Sequence, residues 1–507
     1  MGSYFSAQDE KRIEYEGLTT DKVLMQLEAF KRGLTFKPLV RPCSAGDGIL
    51  QVSEDDGIGL VKAFDSACGQ GRVTKFVPAS GAASRMFRDW SLYLEKDCPA
   101  GAVDEFFATL AYYPFIGDLK DAVSRGGCDF DSLAEKKDVR QILRFALTPD
   151  GLNLGCLPKA LIPFHAYPKC PRTSLEEHLA EGALYAADSQ GISRLHITVS
   201  PEHETAVCGF LDRHRPDYEK LFGVKYHLEL SAQGRSTNTI TVDLENNPVR
   251  DRQGNLLFRP GGHGALLPNL NSIDGDIIFI KNIDNVVTDA RKPVTVKYKK
   301  LLGGYLVQIQ KQVFDLLAGI SGSRDLSPGF LDECALFCRD KLNISLPPGW
   351  AENSPGEKRA FLAKMMDRPL RVCGMVRNEG EPGGGPFWVI DRDGGESLQI
   401  VEGAQVDPAA DEQCRIWSSA SYFNPVDLVC GVRDFWGRKF DLGRFVDRDD
   451  YLISRKTQDN QEVKALELPG LWNGSMARWI TIFIEVPIET FNPVKEVKDL
   501  LRPQHRP

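Results

Sequence analysis

Leu195-His-Ile-Thr-Val-Ser-Pro-Glu202 is the stretch on which the fold turns. Leu195, Ile197 and Val199 alternate with polar neighbours, the two-residue period of a strand. Ser200, Pro201 and Glu202 then supply a helix N-cap, a first-turn proline and an acidic residue suited to the helix dipole. Downstream, Val224, Tyr226, Leu228 and Leu230 alternate again, so the order is strand, helix, strand. Ile277-Ile-Phe-Ile280 is apolar without interruption, as expected of a strand covered on both faces. Strands separated by helices predict an α/β fold with a mainly parallel, mixed sheet built by right-handed crossovers and flanked by helices.

Toward the N-terminus, Arg72-Val-Thr-Lys-Phe-Val77 reads as a strand stopped by Pro78, and Met86, Trp90 and Leu94 share one helical face after it. Val23, Leu24, Leu27 and Phe30 place a helix over 21–31. Toward the C-terminus, 371–376 and 387–390 read as strands around a glycine-rich breaker, and 479–486 as a further strand with Thr481 on its polar side. The expected organisation is a mainly helical segment over 1–70, an α/β core over 71–330 with a helical insert at about 99–150, and a C-terminal α/β region over 331–507.

Composition narrows the class. The 507 residues are 42% hydrophobic and 26% charged, with a net charge of −8, a pI near 5.7 and a mean hydropathy of −0.27. An acidic chain without a basic face argues against nucleic-acid binding. No apolar run reaches the roughly 18 residues of a membrane span, and the first residues lack a signal-peptide core, so a cytoplasmic protein is expected. The 12 cysteines follow no framework spacing, and free thiols are the plainer reading. Cys334 with Cys338 leaves a structural zinc as the other.

Four short stretches could carry chemistry. Ser80-Gly-Ala-Ala-Ser-Arg85 follows a strand and opens a helix: small residues let backbone N–H groups approach a phosphate, and Arg85 adds a fixed charge. A tight structural turn is the other reading. Lys159, alone in the apolar run 157–163, either snorkels to the surface or neutralises a ligand phosphate. Gly261-Gly-His-Gly264 precedes the apolar strand, and Asp284 and Asn285 lie just beyond it, where open parallel sheets bind ligands. A carboxylate there can hold Mg2+, which prefers oxygen ligands and bridges phosphates. A glycine-rich surface loop and an Asx turn are the plain readings. Lys495, in Phe491-Asn-Pro-Val-Lys-Glu-Val-Lys-Asp-Leu-Leu501, follows a stiffening proline and could be delivered to an anion; a strand exit into a polar helix is the alternative.

Taken in order, these stretches resemble the motifs of the sugar-1-phosphate nucleotidyltransferases. Residues 79–86 are similar to the glycine-rich signature loop, and 157–163 to the second motif, with its lysine after a proline. The Pro-Gly-Gly-His-Gly run with the later Asp-Asn pair, and the 491–501 segment, resemble the UDP-sugar pyrophosphorylase branch. The match spans about 75–501 and identifies a divergent, bacterial-looking member. The departures are Ser80 and Ala83 in place of glycine, a long link between Arg85 and Lys159, and an end soon after Lys495 without the β-helix many relatives carry.

The resemblance implies a Rossmann-like nucleotide-diphospho-sugar transferase fold. It also implies a reaction in which a nucleoside triphosphate, UTP in that branch, and a sugar 1-phosphate give a nucleotide-sugar and pyrophosphate. It assigns Arg85, Lys159 and Lys495 to catalysis, Asp284 to Mg2+, and Ser80, Gly81, Ala82, Ala83, Ser84, Gln233, Gly261, Gly262, His263, Gly264 and Asn285 to nucleotide or substrate. Two other readings stay open: a nucleotide-sugar binder without catalysis, and a glycosyltransferase, for which Asp391-Arg-Asp393 has the spelling of a metal motif but the glycine neighbours of a turn.

Overall fold

A computed structural model of the chain describes residues 4–506 apart from 82, 97–98, 323–327, 381–382 and 459–460. The chain divides into two compact units built from interleaved segments. The first comprises Met1–Phe64, Gln233–Ile278 and Leu302–Val486; the second comprises Asp65–Ala232, Phe279–Leu301 and Pro487–Pro507. The fold is mixed α/β with a mostly parallel sheet and flanking helices, the class expected from the strand–helix–strand order.

In the second unit, strands Val73–Pro78, Ile192–Val199 and Lys225–Ala232 run parallel, with Lys75 opposite Leu195 and Ile192 opposite Lys225. Helix Glu204–Phe222 makes the crossover between the last two and ends on Gly223 at φ 66, a left-handed conformation that glycine adopts without penalty. The cap expected from Ser200 does not form. Pro201 opens a 3-10 turn, in which His203 N donates to the Ser200 carbonyl, so the hydroxyl is left without a partner. Helix Ser174–Tyr185 starts with a reciprocal capping box between Thr173 and Glu176.

One side of this sheet buries Leu179, Leu195, Ile197, Leu211 and Tyr218. A second cluster gathers the helices between 88 and 147 around Phe87, Trp90, Phe115 and Leu143. The Trp90 indole meets Phe106 and Tyr113 edge-on, with centroids 5.5 and 5.2 Å away. The core also holds charge. Glu181 accepts from Lys75 at 3.0 Å and from Lys281 at 2.7 Å, all three being buried. Ion pairs of this depth hold together only because each partner meets its counter-charge.

In the first unit, strand Leu370–Arg377 is parallel to Ile480–Glu485 and antiparallel to Asp427–Gly431. The polar side on which Thr481 lies is a buried one. Thr481 accepts from Arg371 Nε at 2.9 Å, while Arg371 also donates to the Trp472 carbonyl at 2.6 Å. Helices Ala7–Tyr15 and Thr20–Arg32 bury Ile13, Val23, Leu27 and Phe30 against Ile240, Val242 and Leu466. Short strands Leu39–Pro42 and Gly48–Leu50 follow them.

Among the described residues, no helix is long and apolar enough to cross a membrane. The described cysteines are free thiols; burial drives Cys334 up to about 11 and Cys338 up to about 12.

Candidate functional site

The second unit gathers Lys159, Asp284, Asn285 and Lys495 beyond the ends of its strands. Strand Ile277–Lys281 leaves the sheet at Asn282, and Ile283 N donates to the Pro78 carbonyl at 3.3 Å, so the strand exits at 78 and 281 lie side by side. Asp284 follows at once and is 6% exposed. Its Oδ2 accepts from Lys159 Nζ at 2.9 Å and from Lys495 Nζ at 3.1 Å, while Oδ1 is buried without a hydrogen-bond partner.

Each lysine arrives by a defined local structure. Pro158 precedes the 3-10 turn Lys159–Leu161; Lys159 N donates to the Gly81 carbonyl at 3.3 Å, and Ser174 Oγ donates to the Lys159 carbonyl at 2.9 Å. The ammonium of Lys159 also donates to the Val494 carbonyl at 2.8 Å. Lys495 sits on a segment zipped to the Asp284 loop. Val494 N donates to the Asp284 carbonyl at 3.0 Å, Asn285 Oδ1 accepts from Asn492 N at 2.8 Å, and Asn285 Nδ2 donates to the Thr490 carbonyl. Asn285 therefore serves the backbone of this segment. Asp499 completes the mount by accepting from the backbone N–H groups of Lys495 and Glu496, both at 2.8 Å.

The electrostatics favour a charged site. Burial pushes the Asp284 carboxyl up, but the ammoniums of Lys159 and Lys495 outweigh it and hold the carboxyl below its ordinary range. Burial, with Lys495 and Arg85 nearby, lowers Lys159, while Asp284 opposes the fall. Arg85 ends the 3-10 turn Ala83–Arg85 and is exposed. Val497 N donates to the Met86 carbonyl at 3.0 Å, which ties the Lys495 segment to the same loop.

In that loop Ala83 is fully buried, whereas a Cβ at Gly81 would meet open space. Ser80 is half-buried. Ala82 and the side chain of Ser84 lie outside the described residues.

The remaining predicted residues belong to the first unit. A Cβ at Gly261 would fall 2.5 Å from the Thr237 carbonyl oxygen, and one at Gly264 2.2 Å from that of Pro469. Gly262 has φ 73. Gly261 and Gly264 thus admit the protein's own backbone. His263 stacks on Trp472 with centroids 4.1 Å apart and accepts from Leu471 N at 3.0 Å. Gln233 opens the 233–278 segment. Asp391 forms the turn its glycines implied: its Oδ1 accepts from Asp393 N and Gly395 N at 2.9 and 3.0 Å.

Sequence reading missed a buried relay in the second unit. His165 Nδ1 donates to Glu177 Oε1 at 2.8 Å, since a carboxylate can only accept, and His165 Nε2 shares a hydrogen bond of 2.9 Å with His505 Nδ1. Lys292 pairs with the other oxygen of Glu177. Burial, His165 and Arg502 lower His505 to about 3, so it is neutral and pins the end of the segment that bears Lys495. The only local signal was the Thr-x-x-Glu capping box at 173–176; the histidine partners are remote in sequence.

No group of three or more His, Cys, Asp or Glu side chains able to hold a metal occurs among the described residues. The unpartnered Oδ1 of Asp284 fits a single oxygen contact to a hard cation whose other ligands are phosphate and water.

Architecture and site define a mixed α/β protein with a lysine–carboxylate–lysine centre at its strand exits. The chain belongs to the family described as "Domain of unknown function (DUF4301)", which matches residues 6–506. No curated protein matches it. Similar solved structures include the uridine diphosphate N-acetylglucosamine pyrophosphorylase of Trypanosoma brucei in complex with inhibitor, at 13% identity, 99% of this chain, 85% of that chain and a TM-score of 0.49. A UDP-glucose pyrophosphorylase mutant of Leishmania major matches at 14% identity, 98% and 79% coverage and a TM-score of 0.46. A putative UDP-N-acetylglucosamine pyrophosphorylase of Entamoeba histolytica matches at 11% identity, 86% and 78% coverage and a TM-score of 0.41.

Proposed function

We propose that the chain is a nucleotidyltransferase that joins a nucleoside triphosphate, UTP first among them, to a sugar 1-phosphate and releases pyrophosphate. The observation that carries this reading is the convergence of Lys159 and Lys495 on one oxygen of a buried Asp284 whose other oxygen is unpartnered. Three distant segments spend two ammoniums and a carboxylate on one spot beside a small-residue loop. That combination suits phosphate chemistry, and these are the residues that resemble the nucleotidyltransferase motifs.

In the reaction a phosphate oxygen of the sugar 1-phosphate attacks the α-phosphorus in line. The bond to the bridging oxygen breaks and pyrophosphate leaves. The nucleophile is already anionic, so the residues' work is positioning and charge neutralisation rather than proton removal. Lys159, fixed by Gly81, Ser174 and Val494, offers a preset charge to the transferring phosphoryl group. Lys495, more exposed, meets the incoming phosphate. Arg85 faces the outer phosphates of the triphosphate. Asp284 orients both lysines and would hold Mg2+ through Oδ1; the ion, when bound, offsets charge on the two phosphates.

Pyrophosphate release by the purified chain with Mg2+, across four nucleoside triphosphates and several sugar 1-phosphates, tests the reading. Release that needs both substrates is expected and names base and sugar. Nucleotide binding without release from any pair would replace catalysis by binding alone.

A further inference from the structure

Within the first unit, beside the amino ends of strands Leu370–Arg377 and Ile480–Glu485, lies a cleft of about 1750 Å³ lined by Asp367, Arg368, Trp436, Arg444, Arg478 and Trp479 among others. Trp479 is 3% exposed, yet its indole N–H finds no acceptor. Buried indole donors ordinarily have one, because an unmet donor retains its full desolvation cost. Across the same lining, Asp367 Oδ1 is a buried acceptor without a donor. Arg368 donates to the carbonyls of Met365 and Arg478, and the Asp391 carboxylate acts on it through its charge. Trp436 stands 58% exposed in the wall, with the Arg438 guanidinium 4.3 Å from its ring centre.

We propose that this cleft is a second ligand site and that it takes a neutral polyhydroxylated molecule of the sugar class. The unmet groups are of both kinds, a donor on Trp479 and an acceptor on Asp367, and a hydroxyl-rich ligand satisfies both because each hydroxyl donates and accepts. A phosphate or polycarboxylate would place acceptors against Asp367 and leave it unmet. An apolar ligand would leave both groups unmet. Acidic and basic side chains line the cleft in nearly equal numbers, so it carries no net field for an anion. Aromatic walls with a few placed polar groups are the usual make-up of a small-molecule site.

The cleft belongs to the first unit and the lysine–carboxylate centre to the second, and its test does not depend on turnover. Glucose and N-acetylglucosamine, with inorganic phosphate as the contrast, are titrated against the full chain by saturation-transfer NMR and calorimetry. Saturable binding of at least one sugar is expected. Trp479→Phe, which removes the donor and leaves a smaller aromatic ring, should weaken it about three- to ten-fold, the worth of one hydrogen bond. Lys159→Met should leave that affinity unchanged, which separates this site from the proposed catalytic one. Should Trp479→Phe misfold, the exposed Trp436→Ala variant replaces it, with weakened binding again expected. The proposal is overturned by failure of both sugars to bind, by phosphate binding alone, by unchanged affinity in the Trp variant, or by loss of sugar binding in Lys159→Met.

Discussion

Asp284 carries two duties that pull its mutational signature in different directions. Its sequence position just past a buried strand implies a functional carboxylate, and from that alone Asp284→Ala should lower turnover by orders of magnitude with little effect on folding. Its burial changes the second half of that expectation. Asp284 and Lys159 are 6% and 9% exposed, and removing one partner strands a buried charge, which typically costs about 3–5 kcal/mol. Lys159 can shed part of that cost by losing its proton, since burial already lowers it. Asp284→Ala is therefore expected to lose both turnover and stability, and Lys159→Met added to it should restore part of the stability and none of the turnover. Urea denaturation of the two single variants and the double variant measures the coupling; strictly additive losses would mean that the pair is not a unit.

At the scale of elements, the legible features were those with short-range causes. Alternation in 195–199 and the apolar run 277–280 marked strands because burial on one or two faces is written in adjacent residues. Contacts that cross long separations left no such trace. Nothing near Thr481 announces Arg371, and nothing near His165 announces His505. The N-terminal helix Ala7–Tyr15 shows how a local motif is completed from afar. Ser6 and Asp9 form its capping box, and Arg250 donates to both Asp9 oxygens, at 2.7 and 3.0 Å. The Arg250 hydrogen bond, working against burial, holds Asp9 at about 2. A carboxyl depressed in the folded state stabilises above its unfolded value near 4 and loses that contribution as pH falls toward 2. Asp9→Asn should accordingly cost at most about 2 kcal/mol at neutral pH, less where salt screens the half-exposed arginine. The difference from wild type should close between pH 4 and 2. Denaturation midpoints across that window check it, and a pH-independent gap would remove the ionised pair as its cause.

For the whole molecule, the order of the segments matters more than their number. The second unit receives its last 21 residues only after the chain has completed the 302–486 part of the first. Sequence placed Lys495 near the site by resemblance, but it could not show that the segment bearing it is also core. Val494 and Leu500 are at most 1% exposed and Val497 is 6% exposed, packed with Phe87, Trp90 and Val286. Burying three such side chains contributes about 5–9 kcal/mol, comparable with the entire stability of an ordinary domain. His505 adds a buried hydrogen bond to His165 at the far end. Removing residues 487–507 is thus expected to unfold the second unit rather than merely to disarm it, and limited proteolysis should then cut within 65–232 first. Lys495→Ala in the full chain keeps all three apolar anchors, so it should resist proteolysis like the wild type while losing pyrophosphate release. Equal protection of the shortened chain would mean that the 65–232 and 279–301 segments form a finished core, with the C-terminal segment as a bound arm whose only indispensable contribution is its lysine.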